Sequence, residues 1–284
     1  MHASPSTLLV GSDPRVACLG AMSQPPSRVF LWGELPEGPT VAIVGTRSPS
    51  EAGAESARRL ARELAERGVV IVSGGALGID SEAHQGALEA GGKTIVFAPA
   101  WLHHAYPKEN EELFARVLDA GGGYLCLAQE KTAARPAQFF RRNEALVAYS
   151  RLLVVGECGF KSGTQNSVKH ARRLKKPIGV LPSRFGEEAG LGSNALLNEG
   201  ADAVLSTDWL LRRLGLSRAR PARKRPEDPV ARALFLGART VDEICEATGL
   251  AAPLVQHRIL LLTLEGRVAE DERGLLRYDP DPRD

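Results

Sequence analysis

The chain has 284 residues, 43% of them hydrophobic and 25% charged, which is enough apolar material to bury the cores of one large domain and one small one. Its formal net charge is only +2, so the protein as a whole exerts no strong pull on polyanions and any nucleic-acid site must be a local basic patch. No stretch approaches the roughly 18 uninterrupted apolar residues of a membrane span and no export signal opens the chain, so a cytoplasmic protein with no membrane role is expected.

Residues 1–38 scatter Ser, Pro and Gly around one short apolar run, Val29-Phe30-Leu31-Trp32, and read as an irregular N-terminal arm with room for one strand. From 39 to 213 the text alternates. Apolar runs at Val41–Val44, Val69–Val72, Thr94–Ala98, Leu152–Val155, Ile178–Leu181 and Ala203–Leu205 are separated by helical stretches, the rhythm of a mainly parallel sheet of about six strands with crossover helices. The first helix is expected to start at Ser48-Pro49-Ser50-Glu51 and to bury Ala57, Leu60, Ala61, Leu64 and Ala65. A later one is expected to be capped by Asp208.

Residues 214–229 turn basic and proline-containing and read as an interdomain linker. Over 230–280, a capped helix opens at Thr240, a second runs from Ala251 to Leu264, and two short apolar runs flank Asp271–Gly274. Helix, turn, helix and hairpin give a winged-helix domain. The fold class is therefore α/β: an extended, Rossmann-like, doubly wound and mainly parallel sheet followed by a small C-terminal winged helix.

In such a sheet, ligands bind beyond the carboxyl ends of the strands, where helix N-termini expose N–H groups to anions. Gly45, Thr46 and Arg47 stand at one such end and combine close backbone approach, a hydroxyl and a cationic fork. A dinucleotide fingerprint is absent, because Ser48 and Pro49 follow where glycines would be needed and the second strand ends Ser73-Gly74-Gly75 instead of in an acid. The loop from Ser73 to Asp80 supplies further donors through Gly74. Asp80 reads as a helix cap and His84 as a histidine hydrogen-bonded beneath the loop, both structural.

Pro136 to Asn143 set Phe139 and Phe140 against Arg141, Arg142 and an amide, suited to stacking a base while gripping phosphates, and Arg135 extends the strip. Lys161, Gly163 and Thr164 precede another helix, a third N-terminus facing the same anion. The cysteines Cys18, Cys126, Cys158 and Cys245 have no metal-ligand spacing and read as buried reduced thiols, and no nucleophile with its base is recognisable. Neither a metal, nor a cofactor, nor catalysis is expected.

Val41-Ala42-Ile43-Val44-Gly45-Thr46-Arg47, Ser73-Gly74 with Gly78-Ile79-Asp80 and Ala83-His84, Tyr106-Pro107, and Phe139 with Arg141-Arg142-Asn143 together resemble the DNA processing protein A family (DprA, or Smf) over roughly residues 25–280. The resemblance implies a non-catalytic protein that binds and protects single-stranded DNA, forms a homodimer, and loads the recombinase RecA during natural transformation. It assigns phosphate contacts to Gly45, Thr46 and Arg47, base stacking to Phe139, and the pocket border to Arg141, Arg142 and Asn143, with Lys161 and Gly163 beyond. One departure stands out: Leu77 occupies the place of an arginine in the family's second loop, which removes a phosphate contact.

Two other readings compete. A nucleotide-binding or nucleotide-processing, phosphoribohydrolase-like protein would need a Pro-Gly-Gly-x-Gly-Thr-x-x-Glu loop. Here only Ser162-Gly163-Thr164 approach it, with Ser167 and Val168 where the glutamate belongs. A duplex-reading winged helix would depend on Gln256, His257 and Arg258.

Overall fold

The structure is a computed structural model that describes residues 4–129, 134–216, 226–271 and 274–278. The chain divides into two compact units, Met1–Ser217 and Arg218–Asp284. Ser217 to Arg225, the middle of the expected linker, lie outside the described residues.

In the first unit the elements run β1 (Ser6–Leu9), β2 (Arg28–Gly33), β3 (Thr40–Val44), α1 (Glu51–Ala65), β4 (Val70–Ser73), α2 (Ile79–Glu89) and β5 (Thr94–Ala98). They continue with α3 (Glu111–Asp119), β6 (Gly123–Cys126), α4 (Pro136–Tyr149), β7 (Leu152–Val155), α5 (Thr164–Arg173), β8 (Ile178–Val180), α6 (Leu191–Asn198), β9 (Asp202–Ala203) and α7 (Thr207–Arg213). The nine strands form one sheet in the order β1-β2-β6-β5-β4-β3-β7-β8-β9. β3 to β9 are parallel to their neighbours, and β1 and β2 add an antiparallel edge through β2–β6 pairing.

The central strands are buried on both faces, which is why they read as unbroken apolar runs. In β3, Val41 and Ile43 pack with Leu60, Leu64 and Ala83 of α1 and α2. Ala42 and Val44 point the other way, into a cluster with Leu146 of α4 and Val168 of α5. The stripe expected of α1 is buried.

Several local expectations are corrected. The expected N-terminal arm is, over residues 4–38, part of the sheet domain: Leu8, Val29 and Leu31 are buried in the main core, and Trp32 packs edge-on to Trp101 and Tyr124, so the segment holds two strands of the sheet. β6 escapes the apolar-run reading because Gly123 and Cys126 dilute it. α1 begins at Glu51, since Ser50 is the capping residue, its hydroxyl accepting from Gly53 N–H at 3.0 Å. α7 begins at Thr207 behind Ser206. Of the cysteines only Cys126 and Cys158 are buried; Cys18 is exposed and Cys245 half-buried.

The second unit comprises α8 (Pro229–Leu236), α9 (Val241–Thr248), α10 (Ala252–Leu264), β10 (Val268–Glu270) and β11 (Leu276–Tyr278), the last two an antiparallel hairpin. Its core joins Val230, Leu234, Ile244, Val255, Leu262, Val268 and Leu276. Thr240 and Glu243 cap α9 reciprocally, as its sequence suggests. Arg258, the cation of the expected reading helix, is held by Asp228 at 2.6 Å and Glu265 at 3.7 Å.

Candidate functional site

Strand order reverses between β3 and β7: successive strands from β3 extend one way through β4 and β5, while those from β7 extend the other through β8 and β9. Loops leaving the two strands part at such a point and open a crevice. A cleft of about 630 Å³ lies there, walled by the loop after β3, the first turns of α4 and the loop from Gly159 to Thr164.

The cleft brings together Gly45, Thr46, Arg47, Phe139, Arg142 and Asn143 with Lys161, Gly163 and Thr164. Phe139 is its centre. The Arg47 guanidinium lies 5.6 Å from the ring centroid and that of Arg142 5.9 Å, while Tyr106 meets the ring edge-on at 5.4 Å. These are distances at which a cation feels the ring's negative face and an aromatic edge is favoured over stacking.

The backbone of the first loop is less available to an anion than its sequence suggests. Thr46 N–H donates to Glu157 O at 2.6 Å, and Thr46 O accepts from Ile79 N–H at 3.2 Å. A Cβ on Gly45 would stand 2.5 Å from Ile79 Cγ1 and 2.7 Å from Glu157 O, so this glycine serves close packing. The N-terminus of α1 already has an anion: the buried Glu157 carboxylate accepts from Ser50 N–H at 2.7 Å and from Ser50 Oγ at 2.6 Å. Glu157 also lines a neighbouring cleft of about 780 Å³, together with Glu51, Glu55, Glu82, Glu187, Arg184 and Arg58, the last paired with Glu82 at 2.7 Å. With five carboxylates to two guanidiniums, that lining disfavours a polyanion. Among the residues of the first loop, the Arg47 side chain is the one that offers charge to the switch-point cleft.

Beneath the cleft lies a buried charge cluster. Arg142 pairs with Asp80 at 3.5 Å, and Asp80 also accepts from Gly74 N–H at 3.2 Å and Ala76 N–H at 3.4 Å. Asp80 therefore ties down the preceding loop and does not cap α2, whose capping residue is Gly78. Burial pushes the Asp80 carboxyl above its ordinary value against the pull of Arg142, and burial likewise lowers the Arg142 guanidinium. Gly74 makes room for this cation: a Cβ there would fall 1.2 Å from Arg142 Nη1. Arg142 thus presents one side to Phe139 and is otherwise structural, and Gly74 serves it instead of lining the cleft.

His84 is buried under the same cluster. Thr94 Oγ1 donates to Ile71 O at 2.8 Å, so it accepts from His84 Nδ1–H at 2.7 Å, leaving Nε2 unprotonated. Burial, and then Arg142, push its pKa down to about 3.

On the far wall, Asn143 Nδ2 donates to Gly163 O at 3.5 Å, and Ser162 Oγ accepts from Thr164 N–H at 3.2 Å at the start of α5. Thr164 is buried, while Lys161 and Gly163 are exposed and a Cβ on Gly163 would meet nothing within 4 Å. Arg135 and Arg141 are exposed but do not line the cleft; Arg135 precedes α4, where its N–H donates to Gln138 Oε1 at 2.6 Å. Tyr106 and Phe140 both line the cleft, Phe140 as part of the expected aromatic–arginine strip and Tyr106 with no role assigned from the sequence beyond its Tyr106-Pro107 motif; Glu157 was overlooked. An aromatic ahead of Pro107 was the available signal for Tyr106; nothing in the sequence flags Glu157.

The family model for DNA recombination-mediator protein A matches residues 9–215, and that for the DprA winged helix domain matches residues 217–272. A Mycobacterium tuberculosis protein assigned as DNA processing protein DprA is 33% identical over 250 residues, covering 83% of this chain and 63% of its own length. The chain therefore spans less than two thirds of that relative. The X-ray structure of DNA processing protein A from Streptococcus pneumoniae superimposes with a TM-score of 0.68 at 28% identity, over 74% of each chain. A Helicobacter pylori DNA processing protein A structure, described for its single-stranded DNA binding mode, gives a TM-score of 0.66 at 32% identity, covering 74% of this chain and 95% of that one. With one family model matched over β2 to β9 and a second over most of the C-terminal unit, the chain belongs to the DNA recombination-mediator protein A family.

Proposed function

We propose that the chain binds single-stranded DNA in the switch-point cleft, without catalysing a reaction on it, and serves as a cytoplasmic recombination mediator. The observation that carries this reading is Phe139 held between Arg47 and Tyr106 in the cleft. An aromatic ring beside exposed cations suits a strand whose bases are unstacked, because a base pairs its π-face with the ring while its phosphate meets the guanidinium. A paired duplex keeps its bases inside the stack and cannot use the ring.

In this reading Arg47 and Lys161 take phosphates, and the open space over Gly163 admits the backbone. Gly45, Thr46 and Arg142 shape the cleft floor, and Asn143 fixes its far wall. The committed state of Arg258 and the exposed Leu254, Leu260 and Leu264 along α10 favour a protein-contact role for the winged helix over duplex reading. RecA as partner and homodimerisation complete the proposal, on the strength of the family. Anisotropy of a labelled oligonucleotide titrated with the protein tests the core of it: Arg47→Ala and Phe139→Ala should each weaken single-strand binding, and an unchanged affinity in both would refute the site.

A further inference from the structure

Phe139 is closely accompanied: Arg47, Arg142 and Tyr106 all stand within 6 Å of its ring centroid. The next residue differs. Phe140 also lines the cleft, is 53% exposed, and makes no ring contact with another aromatic or cation among the described residues. A large aromatic ring left half in solvent at the wall of a binding cleft offers an apolar face that a ligand can cover.

Its direction is set by α4. Residues three and four apart share a helix face, so Phe139 lies above Arg142 and Asn143, whereas Phe140 stands about 100° further round, on the face of Pro136 and Asn143. Asn143 is the residue that reaches Gly163 O. Phe140 and Lys161 are both exposed and both line the cleft, whereas Phe139 has Arg47 beside its ring.

Resting on the single-strand reading above, we infer that Phe140 is a second base-stacking ring, so that the cleft takes two consecutive nucleotides: one at Phe139 with Arg47, the other on Phe140 with Lys161. Phe140 supplies the open face on which a base lies flat.

The test compares the full-length wild type with Phe140→Ala and Phe140→Tyr, titrated against a short oligothymidylate and against the same backbone carrying abasic sites. Phe140→Ala should lose about tenfold in affinity for the oligothymidylate and nothing for the abasic strand, with Phe140→Tyr restoring wild-type binding. Its thermal midpoint and elution volume should match the wild type. The inference is overturned if Arg47→Ala weakens binding but Phe140→Ala does not, if Phe140→Ala weakens intact and abasic strands equally, or if it changes self-association instead. A wild type that binds neither strand overturns the single-strand reading itself, and this inference with it.

Discussion

The Arg142 guanidinium stands 3.5 Å from the Asp80 carboxylate, with both side chains about 95% buried beneath the cleft. Removing one member of such a pair leaves the other charged and unpaired in the interior. Asp80→Asn should accordingly cost about 3–5 kcal/mol in urea unfolding, well above the cost of losing an exposed pair such as Arg172–Glu199. A variant as stable as the wild type would mean that the pair is hydrated in solution.

Gly74 and Gly163 make opposite demands. Gly74→Ala forces Arg142 to move and should lower stability by about 1–3 kcal/mol. Gly163→Ala places its methyl in open space and should leave thermal unfolding nearly unchanged while weakening single-strand binding. If Gly163→Ala binds like the wild type, the strand does not approach that loop.

Acid should find His84 first. Its pKa is depressed from an ordinary 6.5 to about 3, so the folded state refuses a proton that the unfolded chain accepts. Stability is full above pH 6.5 and falls as pH drops towards 3, by up to about 1.4 kcal/mol per pH unit. Urea unfolding at stepped pH should trace that slope, and His84→Gln should flatten it above the range where carboxylates titrate. An unaltered slope in the variant would assign the acid sensitivity elsewhere.

Much of this architecture can be read from the chain because parallel strands buried on both faces become unbroken apolar runs. Thr94–Ala98 and Leu152–Val155 appear in the structure with the boundaries their sequences suggest. β2 coincides with the Val29–Trp32 run, but β1 and β6 are harder, since the sheet edge leaves Leu9 half exposed and β6 opens on Gly123. α8 was missed because its start lies against the basic linker. In the site, the neighbourhood of Arg47, Phe139 and Lys161 was legible from strand ends and helix starts. That Arg142 belongs to the floor, and Gly74 to the space that Arg142 fills, was not, because a buried guanidinium and an exposed one have the same sequence signature. Glu157 occupying the N-terminus of α1 depends on a contact between residues 107 positions apart, which no local pattern encodes.

The central claim is that the cleft takes unpaired strand through Arg47 and its aromatic neighbours. Its most direct test is the salt dependence of affinity for single-stranded and duplex DNA of the same sequence, in the wild type and in Arg47→Ala. The account predicts tighter binding of the single strand by the wild type, and a log–log salt slope that falls by about 0.7 when Arg47 is removed, the share of one phosphate contact. Equal affinity for both forms of DNA, with a slope indifferent to Arg47, would contradict it.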